Sequence, residues 1–126
     1  ALAVAGWHSD VPHPSMLARF LAEHDRNLPE AVRLAEGEAS GRRDIFTEDA
    51  LAWVYFKSGR LDDAATAIAL AMRTGSRDRS ILYHAAAIAS ASGEAAKGRR
   101  LARAAVDGNP RFDVRLAPAA RALIPN

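Results

Sequence analysis

Apolar residues recur at intervals of three and four along most of the chain, and short clusters of glycine, proline, serine and charged residues interrupt this pattern. Such spacing places the apolar residues on one face of an α-helix, whereas a β-strand would require strict alternation. The interruptions divide the chain into segments of helical length. We predict six helices, at about residues 16–26, 27–41, 47–59, 61–73, 78–93 and 94–107.

Several residues are of the types that begin or end helices. Asn27, followed by Glu30, resembles a capping box, and Thr47 precedes two acidic residues that favour a helix N-terminus. Gly59 is expected to end the third helix in a left-handed turn. The connections that remain are short, so consecutive helices must lie antiparallel and form helical hairpins.

The hairpins repeat in the sequence. Gly59 and Gly93 lie 34 residues apart. The same shift relates four further pairs of residues: Asp44 and Asp78, Ala52 and Ala86, Ala71 and Ala105, and Ser76 and Pro110. A unit of this length that contains two helices is typical of a helical-repeat protein, in which each hairpin packs only against its neighbours.

The repeated residues resemble the pattern of the tetratricopeptide repeat family. In the unit that starts at Ile45, the family's small, aromatic and glycine positions hold Ala52, Tyr55, Gly59, Ala64 and Ala71. In the unit that starts at Arg79, its small, glycine and proline positions hold Ala86, Gly93, Gly98, Ala105 and Pro110. This second unit departs from the family where Ala89 replaces an aromatic residue and Ala102 replaces a bulky one.

The resemblance implies an all-α fold, a right-handed superhelical stack of antiparallel helical hairpins with a C-terminal capping helix. We assign residues 1–14 to a linker or the end of an upstream repeat, and residues 15–126 to a tetratricopeptide-like domain. That domain is divided into a degenerate repeat (15–41), two repeats (45–76 and 79–110) and the capping helix (111–126). The absence of an initiator methionine and the richness in alanine and arginine lead us to expect the C-terminal portion of a longer bacterial protein of this family.

The family binds protein segments in a concave groove lined by the first helix of each hairpin. By this resemblance, the residues expected to meet a partner are Asp49, Trp53, Phe56, Lys57 and Tyr83, together with Arg121 on the capping helix. Aromatic rings such as that of Trp53 are frequent anchors of protein interfaces. The alternative is that Trp53 packs inside the core, as tryptophans at helical spacing commonly do.

Composition and charge argue against several kinds of chemistry. The 126 residues carry a formal net charge of +2 and no cysteine, so neither a polycationic nucleic-acid surface nor a thiolate site is expected. His8, Asp10 and His13 have metal-binding side chains, but they lie in a proline-containing linker that does not hold ligands in a fixed geometry. We therefore predict no metal, no cofactor and no bound nucleic acid.

Three further patterns are weaker. The segment from Gly93 to Gly98 resembles a phosphate-binding loop only in its glycines, because no strand precedes it and no Lys-Ser or Lys-Thr pair follows. A basic strip, more typical of a solvated helix face than of a nucleic-acid site, is formed by Arg73, Arg77, Arg79, Arg99, Arg100 and Arg103. His84 is expected to pack or cap locally, because the sequence places no serine, cysteine or carboxylate beside it.

The sequence supports two functional hypotheses. In the first, the chain is a non-enzymatic protein–protein interaction module that binds an unidentified peptide or protein segment in its groove. In the second, it is a purely structural terminal segment of a longer repeat array, whose groove is empty or filled by residues 1–14. No segment has the long apolar run of a membrane span or the basic start of a targeting signal, so membrane insertion is not expected and the compartment, bacterial cytoplasm or periplasm, is undetermined.

Overall fold

The computed structural model describes residues 14–41, 43–107, 118–119 and 122–123. Six helices lie in these ranges: α1 (Pro14–Glu23), α2 (Leu28–Gly41), α3 (Ile45–Lys57), α4 (Leu61–Ala71), α5 (Arg79–Ala91) and α6 (Ala95–Val106). The described residues contain no β-strand. The predicted all-α class is therefore confirmed for this part of the chain, whereas most of the predicted capping helix lies outside the described residues.

The third helix begins earlier than predicted. Its N-cap is Asp44, whose backbone is extended and whose carboxylate accepts a hydrogen bond from the amide of Thr47 at 2.8 Å. Asp78 caps α5 in the same way by accepting a hydrogen bond from the amide of Ile81 at 3.0 Å. The predicted cap, Thr47, is thus wrong, because an aspartate three residues upstream already satisfies its amide and draws one more turn into the helix.

The turn between α1 and α2 contains no glycine, and Asp25 and Asn27 adopt the left-handed conformation there, with φ of 52° and 44°. Asp and Asn tolerate this conformation better than most residues. Asn27 therefore lacks the extended backbone of a capping-box residue, and the Glu30 side chain pairs with Arg33 instead. The capping-box prediction is wrong, although α2 does begin directly after Asn27.

The turns that follow α3 and α5 have the same backbone structure. Gly59 and Gly93 both have positive φ, 80° and 88°, which glycine adopts without steric strain. In each turn, the residue after the glycine donates its amide to the carbonyl five residues earlier, at 2.8 and 2.9 Å. The 34-residue repeat of the sequence is thus accompanied by a repeat of local conformation.

The helices are arranged in two rows. Each helix packs against the next one in the chain, and the odd-numbered helices also pack against one another, α1 on α3 and α3 on α5. Within the described ranges, the even-numbered helices make no such contacts with one another. Alanines supply much of the buried core, and their small side chains allow the helix axes to approach closely. We call α1, α3 and α5 the odd row, and α2, α4 and α6 the even row.

Gly98 on α6 lies close against the backbone of α5. A Cβ atom at Gly98 would lie 2.2 Å from the hydroxyl of Ser90 and 3.2 Å from the carbonyl oxygen of Ala86. The serine hydroxyl can rotate away, but the backbone carbonyl can move only with its helix. By contrast, a Cβ atom at Gly37 on α2 would meet nothing within 4 Å.

These two glycines should respond differently to substitution by alanine. Gly37→Ala is expected to raise the free energy of unfolding by about 0.5–1 kcal/mol, because alanine favours the helical backbone. Gly98→Ala gains the same propensity but overpacks the α5–α6 crossing, which costs about 1–3 kcal/mol. Urea unfolding followed by circular dichroism should therefore rank Gly37→Ala as the more stable variant. Equal stabilisation by both would show that the crossing has room.

Candidate functional site

Five side chains meet where the three helices of the odd row, α1, α3 and α5, pack together. They are Glu23 from α1, Asp49 and Trp53 from α3, and Tyr83 and His84 from α5, and we call them the inter-hairpin cluster. Asp49 and Trp53 are four residues apart, so both point to the same side of α3. The cluster connects the second hairpin (α3 and α4) to the first (α1 and α2) and to the third (α5 and α6).

Asp49 and His84 form a buried polar pair. Nδ1 of His84 lies 2.7 Å from Oδ1 of Asp49, and the two side chains are 0% and 1% exposed. With the carboxylate oxygen as the acceptor, Nδ1 is the donor of this hydrogen bond. The second carboxylate oxygen, Oδ2, is buried without a hydrogen-bond partner. This pair fixes the position of α5 along α3. It also carries a desolvation cost, because only one of the two oxygens of the buried Asp49 carboxylate accepts a hydrogen bond.

The indole ring of Trp53 is the centre of an aromatic group. It stacks on the imidazole of His84 at a centroid distance of 4.0 Å, and on the ring of Phe56 at 4.9 Å. The ring of Tyr83 is tilted against it at 5.5 Å. The indole Nε1 donates a hydrogen bond of 3.1 Å to Glu23. Since the ring is only 3% exposed and its one donor has an acceptor, Trp53 is satisfied within the chain.

Charged residues lie at the solvent-facing edge of the cluster. The ammonium group of Lys57 is 3.2 Å from a carboxylate oxygen of Asp25 and 5.9 Å from the centroid of the Trp53 ring. The Lys57 side chain is 24% exposed and that of Asp25 is 64% exposed. A pair with one exposed and one partly exposed member contributes little to stability, and the Asp25 carboxylate in particular is accessible to a partner.

Burial also affects the acid–base properties of the odd row. It raises the pKa of Tyr83, and the nearby negative charge of Glu23 adds to this effect, so the phenol stays protonated at neutral pH. In the first turn of α3, the buried carboxylate of Glu48 accepts hydrogen bonds of 2.7 and 3.1 Å from Arg43. These hydrogen bonds raise the pKa of the Arg43 guanidinium group. Buried charges in this row therefore lie next to groups that partly compensate them.

The structure brings together most of the residues that the sequence singled out. Asp49, Trp53, Phe56, Lys57 and Tyr83 are neighbours on α3 and α5, whereas Arg121 lies outside the residues whose side chains are described. Asp49 and Trp53 are packed inside the protein in this conformation, and Lys57 and Phe56 are partly accessible. That a partner contacts these residues stays a prediction.

Glu23, Asp25 and His84 were not among the predicted site residues. The expectation that no carboxylate lies near His84 was wrong, because Asp49, 35 positions earlier in the chain, is its hydrogen-bond partner. A signal was present: residues separated by about one repeat lie at the same height on neighbouring parallel helices. Counting from the equivalent caps Asp44 and Asp78 would have placed Asp49 opposite Tyr83, one residue before His84, and so near enough to suggest the pair.

Other site chemistry was sought in the same structure. Among the described residues, no group of three or more His, Cys, Asp or Glu side chains is placed to hold a metal ion. The weighed ligands His8, Asp10 and His13 lie outside those residues. Gly93 lies in a helix-ending turn and Gly98 lies inside α6, so this segment has no phosphate-loop conformation.

The described helices are all too short or too polar to cross a lipid bilayer.

The chain matches no protein-family model, no curated protein and no solved structure. Any function is therefore inferred from its own residues and their geometry.

Proposed function

We propose that this chain is a non-enzymatic protein-interaction module of the tetratricopeptide type. In this proposal the hairpins stack into a right-handed superhelix, and the odd row holds a peptide or protein segment. The repeated caps at Asp44 and Asp78 and the repeated turns at Gly59 and Gly93 support it, because equivalent hairpins that pack through the same surfaces form a regular stack.

The observation that carries the proposal is the unequal chemistry of the two rows. Among the described residues, every aromatic side chain lies on the odd row: Phe20, Phe46, Trp53, Tyr55, Phe56 and Tyr83. The buried polar and charged side chains lie there as well: Thr47, Glu48, Asp49 and His84. Buried charges cost stability that apolar side chains would not, and aromatic residues are enriched at protein interfaces. This combination favours a binding role for the odd row over a purely structural one.

On α3, the accessible side chains lie at the two ends of the helix. Phe46 is 52% exposed near the start of α3, and Phe56 and Lys57 are partly exposed at its end. A bound segment would lie along α3 and touch these residues, while the buried Trp53 supports the surface from beneath. Phe46 would supply apolar area, and Lys57 and Asp25 would orient a charged segment.

The binding test compares variants of the two rows. Short random peptides are selected from a display library on the immobilised chain, and their Kd is measured by fluorescence polarisation. Phe46→Ala and Lys57→Glu should each weaken binding about tenfold or more, because Phe46 supplies exposed apolar area and Lys57 supplies a charge to the proposed surface. Leu70→Ala and Arg100→Glu change the same residue classes at exposed sites of the even row and should leave Kd within about twofold. Weaker binding by the even-row variants alone would refute the proposed surface.

The second candidate function is that of a structural end segment without a ligand. The complete burial of the Asp49–His84 pair and the near-complete burial of Trp53 favour it, because these groups are satisfied mainly within the chain. It predicts that the folded chain selects no peptide from the library. A selected peptide that binds the wild type and both even-row variants, but neither odd-row variant, would exclude it.

Nucleic-acid binding is less well supported. Arg73 donates one hydrogen bond to the carbonyl of Arg43 at 2.7 Å, and Arg79 donates one to the carbonyl of Asp107 at 3.1 Å. Two guanidinium groups of the basic strip thus hold loops of the chain itself. Of the other four, Arg77 lies between α4 and α5, and Arg99, Arg100 and Arg103 lie on α6. This helix has no aromatic side chain on which bases could stack.

A further inference from the structure

The turn after α1 shows which of its residues correspond to residues of α3 and α5. Asp25 has a positive φ of 52°, as Gly59 and Gly93 have positive φ in the two later turns. The next residue, Arg26, donates its amide to the carbonyl of Leu21, five residues earlier, at 2.8 Å, and the same hydrogen bond recurs in both later turns. Each residue of α1 therefore corresponds to the residues one and two 34-residue repeats further along the chain.

Three apolar side chains of α1 are exposed at positions that are buried in both later hairpins. Met16, Leu17 and Phe20 are 61%, 38% and 54% exposed, and we call them the α1 apolar face. None of their counterparts on α3 and α5 is more than 6% exposed. These counterparts are Ala50, Leu51 and Val54 on α3, and His84, Ala85 and Ile88 on α5.

The counterparts on α5 pack on the hairpin that precedes them. His84 lies 2.7 Å from the carboxylate of Asp49 on α3. Ala85 and Ile88 line one cavity together with Ile68 of α4. The corresponding face of α1 is thus the one that an odd-row helix turns toward the preceding hairpin, and no described hairpin precedes α1.

The segment that leads into α1 has the length and the composition to cover this face. Residues 1–13 join α1 at the end where Met16 lies, and the first seven of them carry no charged side chain and end in Trp7. Trp7 precedes Pro14 by seven positions, which an extended chain converts into a distance of up to roughly 23 Å. Phe20 lies only about 9 Å along the helix axis from Pro14. Trp7 can therefore reach every residue of the α1 apolar face.

We propose that residues 1–7 cover the α1 apolar face within the same chain, with the indole of Trp7 packed against Met16 and Phe20. Apolar burial supplies the attraction, and the thioether of Met16 favours an aromatic neighbour. A segment tethered by a few residues has an effective concentration on the order of millimolar, so a second copy of the chain competes poorly for the same face. The contact is separate from the surface proposed along α3 and does not depend on its binding role.

The first experiment detects the contact directly by NMR of the full chain. Nuclear Overhauser effects are expected between the indole protons of Trp7 and both the methyl group of Met16 and the ring of Phe20. In a mixture of isotope-labelled and unlabelled chains, the same effects should be absent between molecules. Their absence within the chain would overturn the proposal, and their presence between molecules would assign the face to a second copy instead.

The second experiment measures the thermal stability of full-length variants. Trp7→Ala should lower the melting temperature by roughly 3–8 °C, because the apolar area between the indole and α1 is no longer buried. In a chain that already carries Phe20→Ser, the same change should have a clearly smaller effect, since the two side chains share one contact. An unchanged melting temperature of Trp7→Ala, or an equal loss with and without Phe20→Ser, would overturn the proposal.

Two leucines provide a matched control for this cycle. Leu17 and Leu70 are both 38% exposed, but only Leu17 belongs to the α1 apolar face, whereas Leu70 lies on α4. Leu17→Ser should reduce the effect of Trp7→Ala on the melting temperature, and Leu70→Ser should leave that effect at its full size. If both serine variants change the effect of Trp7→Ala equally, Trp7 does not act through α1 and the proposed contact is wrong.

Discussion

Asp49→Ala is expected to lower the free energy of unfolding by about 3–5 kcal/mol, a large share of the stability of a domain this size. The substitution removes the acceptor for Nδ1 of His84, and this imidazole remains 1% exposed beneath the ring of Trp53. A buried donor without an acceptor cannot recover its hydrogen bond from water. Urea unfolding followed by circular dichroism at 222 nm, the wavelength characteristic of helices, measures the loss.

Two comparisons separate this effect from the general cost of removing a carboxylate. Asp63→Ala breaks the exposed pair with Arg60 and should cost less than about 1 kcal/mol. In a double-mutant cycle, Asp49→Ala and His84→Ala together should cost clearly less than the sum of the two single changes, because each already removes the shared hydrogen bond. Additive costs, or equal costs at Asp49 and Asp63, would show that the pair does not hold the hairpins together.

Trp53→Ala is expected to cost a similar amount, about 3–5 kcal/mol, because it removes a nearly fully buried ring from the junction of three helices. It also leaves the carboxylate of Glu23 without the indole donor that now lies 3.1 Å away. Thermal unfolding should show a melting temperature far below that of the wild type, while the helical signal at low temperature is retained.

Phe46→Ala is the matched control, because it also removes an aromatic ring from α3. Its side chain is 52% exposed, so the change should alter the free energy of unfolding by no more than about 0.5 kcal/mol. Wild-type stability of the Trp53 variant would contradict the packing described above. If Trp53→Ala melts as expected, its loss of binding says nothing about a surface, and only Phe46 and Lys57 are informative in binding assays.

Much of the fold could be predicted from local pattern. The helices follow from apolar spacing, and the turns at Gly59 and Gly93 follow from glycines at which the chain needs positive φ. The start of α3 could not be predicted in this way, because Asp44 and Thr47 are both acceptable cap residues. Only the hydrogen bond between them decides which one lies outside the helix.

The candidate site was predicted in part. Asp49, Trp53, Phe56, Lys57 and Tyr83 were selected by their positions within a repeat, and they do lie together. The burial of Asp49 and Tyr83 was not predicted, and the burial of Trp53 was the alternative to a binding role, because exposure depends on the neighbouring helices and the period of a single helix does not specify it. The acceptor of the Trp53 indole, Glu23, was also missed, since it lies on another helix 30 residues earlier.

The sequence by itself determined the six helices of the described residues, their short connections and the repeat that makes the hairpins alike. These features depend on interactions within a few residues or on a fixed period, and both can be read from the order of residues. Tertiary packing alone decided that Asp49 meets His84 and that Trp53 is enclosed. Those outcomes depend on the height at which one helix packs against another, and the summed contacts of whole helices set that height.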